Sequence, residues 1–84
     1  MKPCDPEIFE HGKAVAIIAD RSAQEIEDLI VRVAGLSYQR VDWHYVGGRG
    51  VVRCIGNCEL VRKLLRRYTN GYFKIVEENG EWTT

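Results

Sequence analysis

Paired cysteines, a long apolar run and a surplus of charge are all missing from this 84-residue chain. Its three cysteines, Cys4, Cys54 and Cys58, are odd in number and scattered. That is not the framework of a disulfide-stapled secreted domain, so reduced thiols are expected. The longest unbroken apolar run covers residues 14–19, far short of the ~20 residues that cross a bilayer, and no basic start followed by an apolar stretch marks a signal peptide. A cytoplasmic location without membrane attachment is the expectation that follows. Both prolines fall within the first six residues, so none interrupts a helix or strand further along. The two histidines, His11 and His44, join no serine–histidine–acid order, and no carboxylates pair on strand ends. An enzyme is therefore the least supported class, and no cofactor is expected.

What is present is a soluble composition, 45% hydrophobic and 29% charged, at a length that allows one modest core. A chain this short buries only ~60% of its unfolded surface, which favours oligomerisation. The formal charges sum to zero, yet residues 1–39 hold four basic against seven acidic side chains, and residues 40–76 hold eight against two. Such asymmetry suits an acidic partner or a phosphate, or pairs two halves of one domain.

Residues 1–12 form an arm. Asp5-Pro6 is a good helix start and Gly12 a stop, so a short helical turn there would offer Ile8 and Phe9 as an apolar side. Residues 13–84 form a single domain. Its first segment, 13–19, is short, continuous and apolar, as a strand buried on both faces requires. Ser22 and Glu25 make a capping box, and Ile26, Leu29, Ile30 and Val33 follow at helical spacing towards a stop at Gly35. Val41 to Val46 and Val51 to Ile55 read as two strands of a hairpin about Gly47-Gly48-Arg49-Gly50. Asn57 caps a second helix whose buried side is Leu60, Val61, Leu64, Leu65 and Tyr68, ended by Gly71. A last strand occupies 72–77, and Asn79-Gly80 turns the chain into a short extra strand.

Strand, helix, strand, strand, helix, strand is the order of the ferredoxin-like split βαβ fold, an α+β class with both helices on one face of an antiparallel sheet. Its first and third strands lie at the centre. Pairing Val46 with Val51 sets Tyr45 opposite Val52, Trp43 opposite Cys54 and His44 opposite Arg53. Val41, Trp43, Tyr45, Val52 and Cys54 then lie under the helices, and Asp42, His44, Val46, Val51, Arg53 and Ile55 lie on an open face.

Three functions are expected from these placements. The leading one is a non-catalytic interaction or regulatory module that self-associates through the open face, at His44, Val46, Val51, Arg53 and Ile55, or through edge strands. The second is phosphate or nucleic-acid binding through Arg62, Lys63, Arg66 and Arg67 on the outer side of the second helix. The third is thiol or metal chemistry at Cys54 and Cys58, with Cys58 the reactive thiol because it follows the helix cap, where the helix dipole favours a thiolate. No zinc spacing is present, so no metal is assigned.

In strand and helix order the chain resembles heavy-metal-associated domains, but the loop after the first strand reads Ala19-Asp20-Arg21-Ser22 and has no thiol. It resembles the RNA-recognition motif in the same respect. There, valine, arginine and isoleucine stand in Val51-Val52-Arg53-Cys54-Ile55 where stacking rings are expected, and residues 15–18 carry no ring. Acylphosphatases share the order too, without a counterpart here to their arginine-bearing glycine loop. Neither metal transfer, base stacking nor phosphatase activity is carried over.

Overall fold

The structure, a computed structural model, describes residues 5–69 and the backbone of 74–76. The elements in chain order are α1 (Pro6–His11), β1 (Lys13–Ala19), α2 (Ala23–Ser37), β2 (Arg40–Val46), β3 (Arg49–Ile55), α3 (Cys58–Thr69) and β4 (Lys74–Val76). They make an α+β domain around an antiparallel sheet of order β2-β3-β1-β4, with β1 and β3 inside and β2 and β4 at the edges. Cys4, Gly71, Tyr72, Phe73 and the expected turn at Asn79-Gly80 lie outside the described residues. No helix among those described is long and apolar enough to cross a membrane.

β1 serves both faces of the sheet. Its pairing with β3 is regular from Ala16 to Ala19, and one extra residue, Val15, is inserted before Ala14 pairs with Arg53. This bulge changes which way the strand's first residues point, so Ala14, Val15, Ala16 and Ile18 are all buried. α2 and α3 cover one face with Ile26, Leu29, Ile30, Val33, Val61 and Leu65, packed on Val52, Trp43 and Cys54. Val41 and Tyr45 border the same core, as their alternation implies.

The hairpin register differs from the sequence expectation by two residues. Gly47 and Gly48, at φ +58° and +76°, make a two-residue turn alone, so Val46 pairs with Arg49, Trp43 with Val52 and Asp42 with Arg53. Two positive φ values in succession match the right-handed strand twist, which lets Arg49 and Gly50 join β3. Because the slip is even, every side chain keeps its expected face.

α2 also runs past its expected stop. Gly35 lies within the helix, and the left-handed cap is Tyr38 at φ +56°, whose side chain is 91% exposed. At its other end the capping box is complete, with Ser22 Oγ accepting from Glu25 N–H and Glu25 Oε1 accepting from Ser22 N–H. In α3 the buried positions are Val61, Leu65 and Thr69, Leu64 and Tyr68 are half-buried, and Leu60 is exposed.

The face expected to be open carries α1. Asp5 caps this helix through Glu7 N–H at 2.9 Å, and Gly12 leads at once into β1. Ile8 is buried, the Phe9 ring lies 5.4 Å from that of His44, and the Arg53 guanidinium stands 5.8 Å from the Phe9 centroid and donates to the Gly12 carbonyl. Arg40 forms ion pairs with Asp5 and Glu7 at the rim. The result is three layers, α2 with α3, then the sheet, then α1. α1 joins the core because Ile8 gains more by burial against the sheet than by facing water.

Candidate functional site

The most chemically distinctive place in the molecule is where β3 hands over to α3. Three residues, Ile55, Gly56 and Asn57, separate Cys54 from Cys58, and the chain must reverse within them. Gly56 makes this possible at φ +103°, a conformation that side chains disfavour, and a side chain there would collide with the Gln39 amide. Gln39 holds the turn in return, accepting from Asn57 N–H at 3.2 Å. Asn57 Oδ1 accepts from Glu59 N–H at 3.3 Å and starts the helix as expected.

The turn leaves the two thiols on the same core with unequal access. Cys54 is 1% exposed and belongs to the core, whereas Cys58 is half-buried at the start of α3. The Cys54 thiol donates to the Ile55 carbonyl at 3.6 Å. Burial first, then the neighbouring Cys58 side chain, push the Cys54 thiol well above the ordinary range, while the Arg62 guanidinium offsets part of the rise. The Cys58 thiol also reaches the Gly56 carbonyl at 3.6 Å. Arg62 stands one helical turn beyond Cys58 and pairs with Glu59 at 3.4 Å. Among the described residues no three His, Cys, Asp or Glu side chains gather in a way that would hold a metal. Two thiols and a guanidinium suit sulfur exchange instead.

The other sequence-derived sites fare differently. Val51 and Arg53 are buried beneath α1, which corrects their placement on a free surface. The reason is the docking of Ile8 and Phe9. His44 and Ile55 are half-buried, and only Val46 is well exposed, at 55%. Of the basic side chains of α3, Arg62 pairs with Glu59, Arg67 lies over the Tyr68 ring at 5.8 Å, and Lys63 and Arg66 are exposed. Spacing alone missed the involvement of Arg62 with the thiols. The signal was available in the i, i+4 step from Cys58.

An open cleft of about 760 Å³ lies at the opposite end of β1, between the hairpin turn and the start of α2. Asp20 and Glu25 face Arg21 and Arg49 across it, and the Tyr45 hydroxyl closes its base by donating to the Arg21 carbonyl at 2.5 Å. The capping box has already satisfied the helix amide that an anion would use. Mixed charge and a spent amide leave it no clear ligand chemistry. No protein-family model, curated protein or solved structure matches this chain, so the local geometry alone carries the functional argument.

Proposed function

We propose that this α+β chain is a ferredoxin-like βαββαβ module carrying a dithiol–disulfide couple at Cys54 and Cys58. Support for the fold name comes from the strand order and from α2 and α3 sharing one face. Support for the couple comes from one observation, a buried and a half-buried thiol on the same core, separated by three residues that turn at a glycine. Cys58 is the attacking sulfur, since it alone is reachable at a helix start. Cys54 is the resolving sulfur, shielded until Cys58 carries a mixed disulfide.

The test uses the reduced protein exposed to oxidised glutathione, quenched with acid and digested with trypsin. Peptide 54–62 contains both cysteines and is expected to become lighter by two hydrogen atoms. Its appearance should follow the mixed disulfide slowly near pH 7. Because the Cys54 thiol is held protonated, ring closure should accelerate by roughly tenfold per pH unit between about 7 and 9, as thiolate-limited exchange does. A peptide that stops at the mixed disulfide at every pH, or that stays reduced, would refute the couple.

A second reading, association through the β2 edge, is favoured by one contact. A two-residue hairpin turn directs the main-chain groups of Val41, Trp43 and Tyr45 away from β3, where a further strand can pair. Asp42 Oδ1 takes the central donor, Trp43 N–H, at 2.8 Å. Asp42 therefore caps the edge, and Asp42→Ala is expected to raise the self-association constant severalfold in sedimentation equilibrium. Two equally monomeric proteins at high micromolar concentration would end this reading.

A further inference from the structure

We propose that α1 docks in trans as well as in cis, so that two copies of this chain exchange first helices and pair through the sheet face that carries Arg53. One residue, Gly12, joins α1 to β1, and non-covalent contacts hold the helix down. Ile8 is buried against the sheet, the Phe9 ring lies 5.4 Å from that of His44, and Asp5 and Glu7 meet Arg40 on the β2 edge. α1 therefore reaches across the sheet from a central strand to an edge strand. A second copy offers the identical surface, with its own Arg40 for Asp5 and Glu7 and its own His44 for Phe9. Its fit needs no new complementarity, because every contact is one that the closed chain already makes.

What decides between the two forms is the hinge. Gly12 is buried and extended, at φ −77° and ψ 160°, and its N–H donates to the Ile8 carbonyl at 2.6 Å. A Cβ at this position would lie 2.5 Å from that carbonyl oxygen and 3.3 Å from the carbonyl of Cys54. The first obstacle is main chain of α1 and cannot rotate aside. Glycine thus lets the helix end fold back close to the sheet, and any other residue must push α1 away. Opening the hinge breaks the hydrogen bond from Gly12 to Ile8 and little else that exchange does not remake. In the natural chain the short tether favours cis docking, up to an effective concentration in the millimolar range. A side chain in place of Gly12 penalises cis docking in each chain, and exchange relieves both penalties at once. α2 and α3 keep their places, so this proposal and the dithiol reading stand or fall separately.

Sedimentation equilibrium in the presence of a reductant, which keeps disulfides from linking chains, tests the exchange. The natural chain is expected to dimerise only towards roughly 1 mM. Gly12→Ala should lower the dissociation constant by about a hundredfold, since an ordinary overpacking penalty is relieved at two hinges per dimer. Charge exchange on the natural Gly12 hinge supplies a measurement that does not depend on whether that variant folds. Arg40→Glu sets like charges at the docking site of its own arm, as does Glu7→Lys, which spares the Asp5 cap. Only arms exchanged between these two variants restore opposite charges at both sites. Their equimolar mixture should therefore associate at least about tenfold more tightly than either variant alone at physiological salt, where net charge by itself is screened. A folded Gly12→Ala that stays monomeric would overturn the proposal. So would a mixture no tighter than its components, which would assign any association to the β2 edge instead.

Discussion

Replacing Arg53 with alanine is expected to cost about 3 kcal/mol, which for a domain of this size is a fall of roughly 12–24 °C in melting temperature. Arg53 is only 3% exposed between the sheet and α1, where it donates to the Gly12 carbonyl and lies beside the Phe9 ring. Truncation removes that donor, leaves the carbonyl to find another partner in a confined space, and opens a void beneath Phe9. Loss of α1 docking follows, because Ile8 and Phe9 cover the sheet only while Gly12 holds the helix close. Arg53→Met, which keeps the apolar stem, should recover about half of the loss, since the aliphatic part of arginine supplies much of the packing. Thermal melts followed by circular dichroism would decide the matter. A shift below about 4 °C for alanine would show that α1 does not depend on Arg53.

The second large effect belongs to Gly50. Its Cα faces α2, and a methyl group added there would overlap the Ile26 side chain, which is completely buried. Gly50→Ala should cost about 2 kcal/mol through overpacking, even though alanine reduces the entropy of the unfolded chain. Ile26→Val alone removes the methyl group nearest the clash and should cost about 1 kcal/mol. Together the two should be at least ~1 kcal/mol less destabilising than their sum, a coupling measurable by urea unfolding of the four proteins in a double-mutant cycle. Simple additivity would mean that the helix rises to make room, and that contact with Ile26 does not set the distance between α2 and the sheet.

Much of the scaffold could be read from residues alone because it rests on local chemistry. The apolar run of β1, the Ser22–Glu25 capping box, the Asn57 cap and the alternation of Trp43, Val52 and Cys54 are each decided by neighbours within a few positions. The length of the hairpin turn was not decided that way, since Gly47-Gly48 and Gly47 to Gly50 are both competent turns. Pairing with β1 selects the shorter, by drawing Arg49 and Gly50 into β3. Likewise, Gly35 is an obvious helix stop by type, but α2 continues to Ser37, which is buried, and Tyr38 accepts the left-handed cap. The largest omission was the face chosen by α1. Ile8 and Phe9 marked an apolar side, but only tertiary contact reveals that it docks on Val51 and Arg53. The placing of Cys54 and Cys58 on one core depended on how sharply three residues turn, and Gly56 among them was the visible clue.

One hydrogen bond bears on how well the two thiols can react. Gln39 and Asn57 are 18 residues apart, and their contact ties the connection after α2 to the turn between the sulfurs. Ring closure within a single chain proceeds at an effective concentration set by how rarely the two ends part. In the proposed couple Gln39 is therefore a distant brace on that concentration. There, a side chain with no sulfur chemistry of its own would set how often Cys54 finds Cys58.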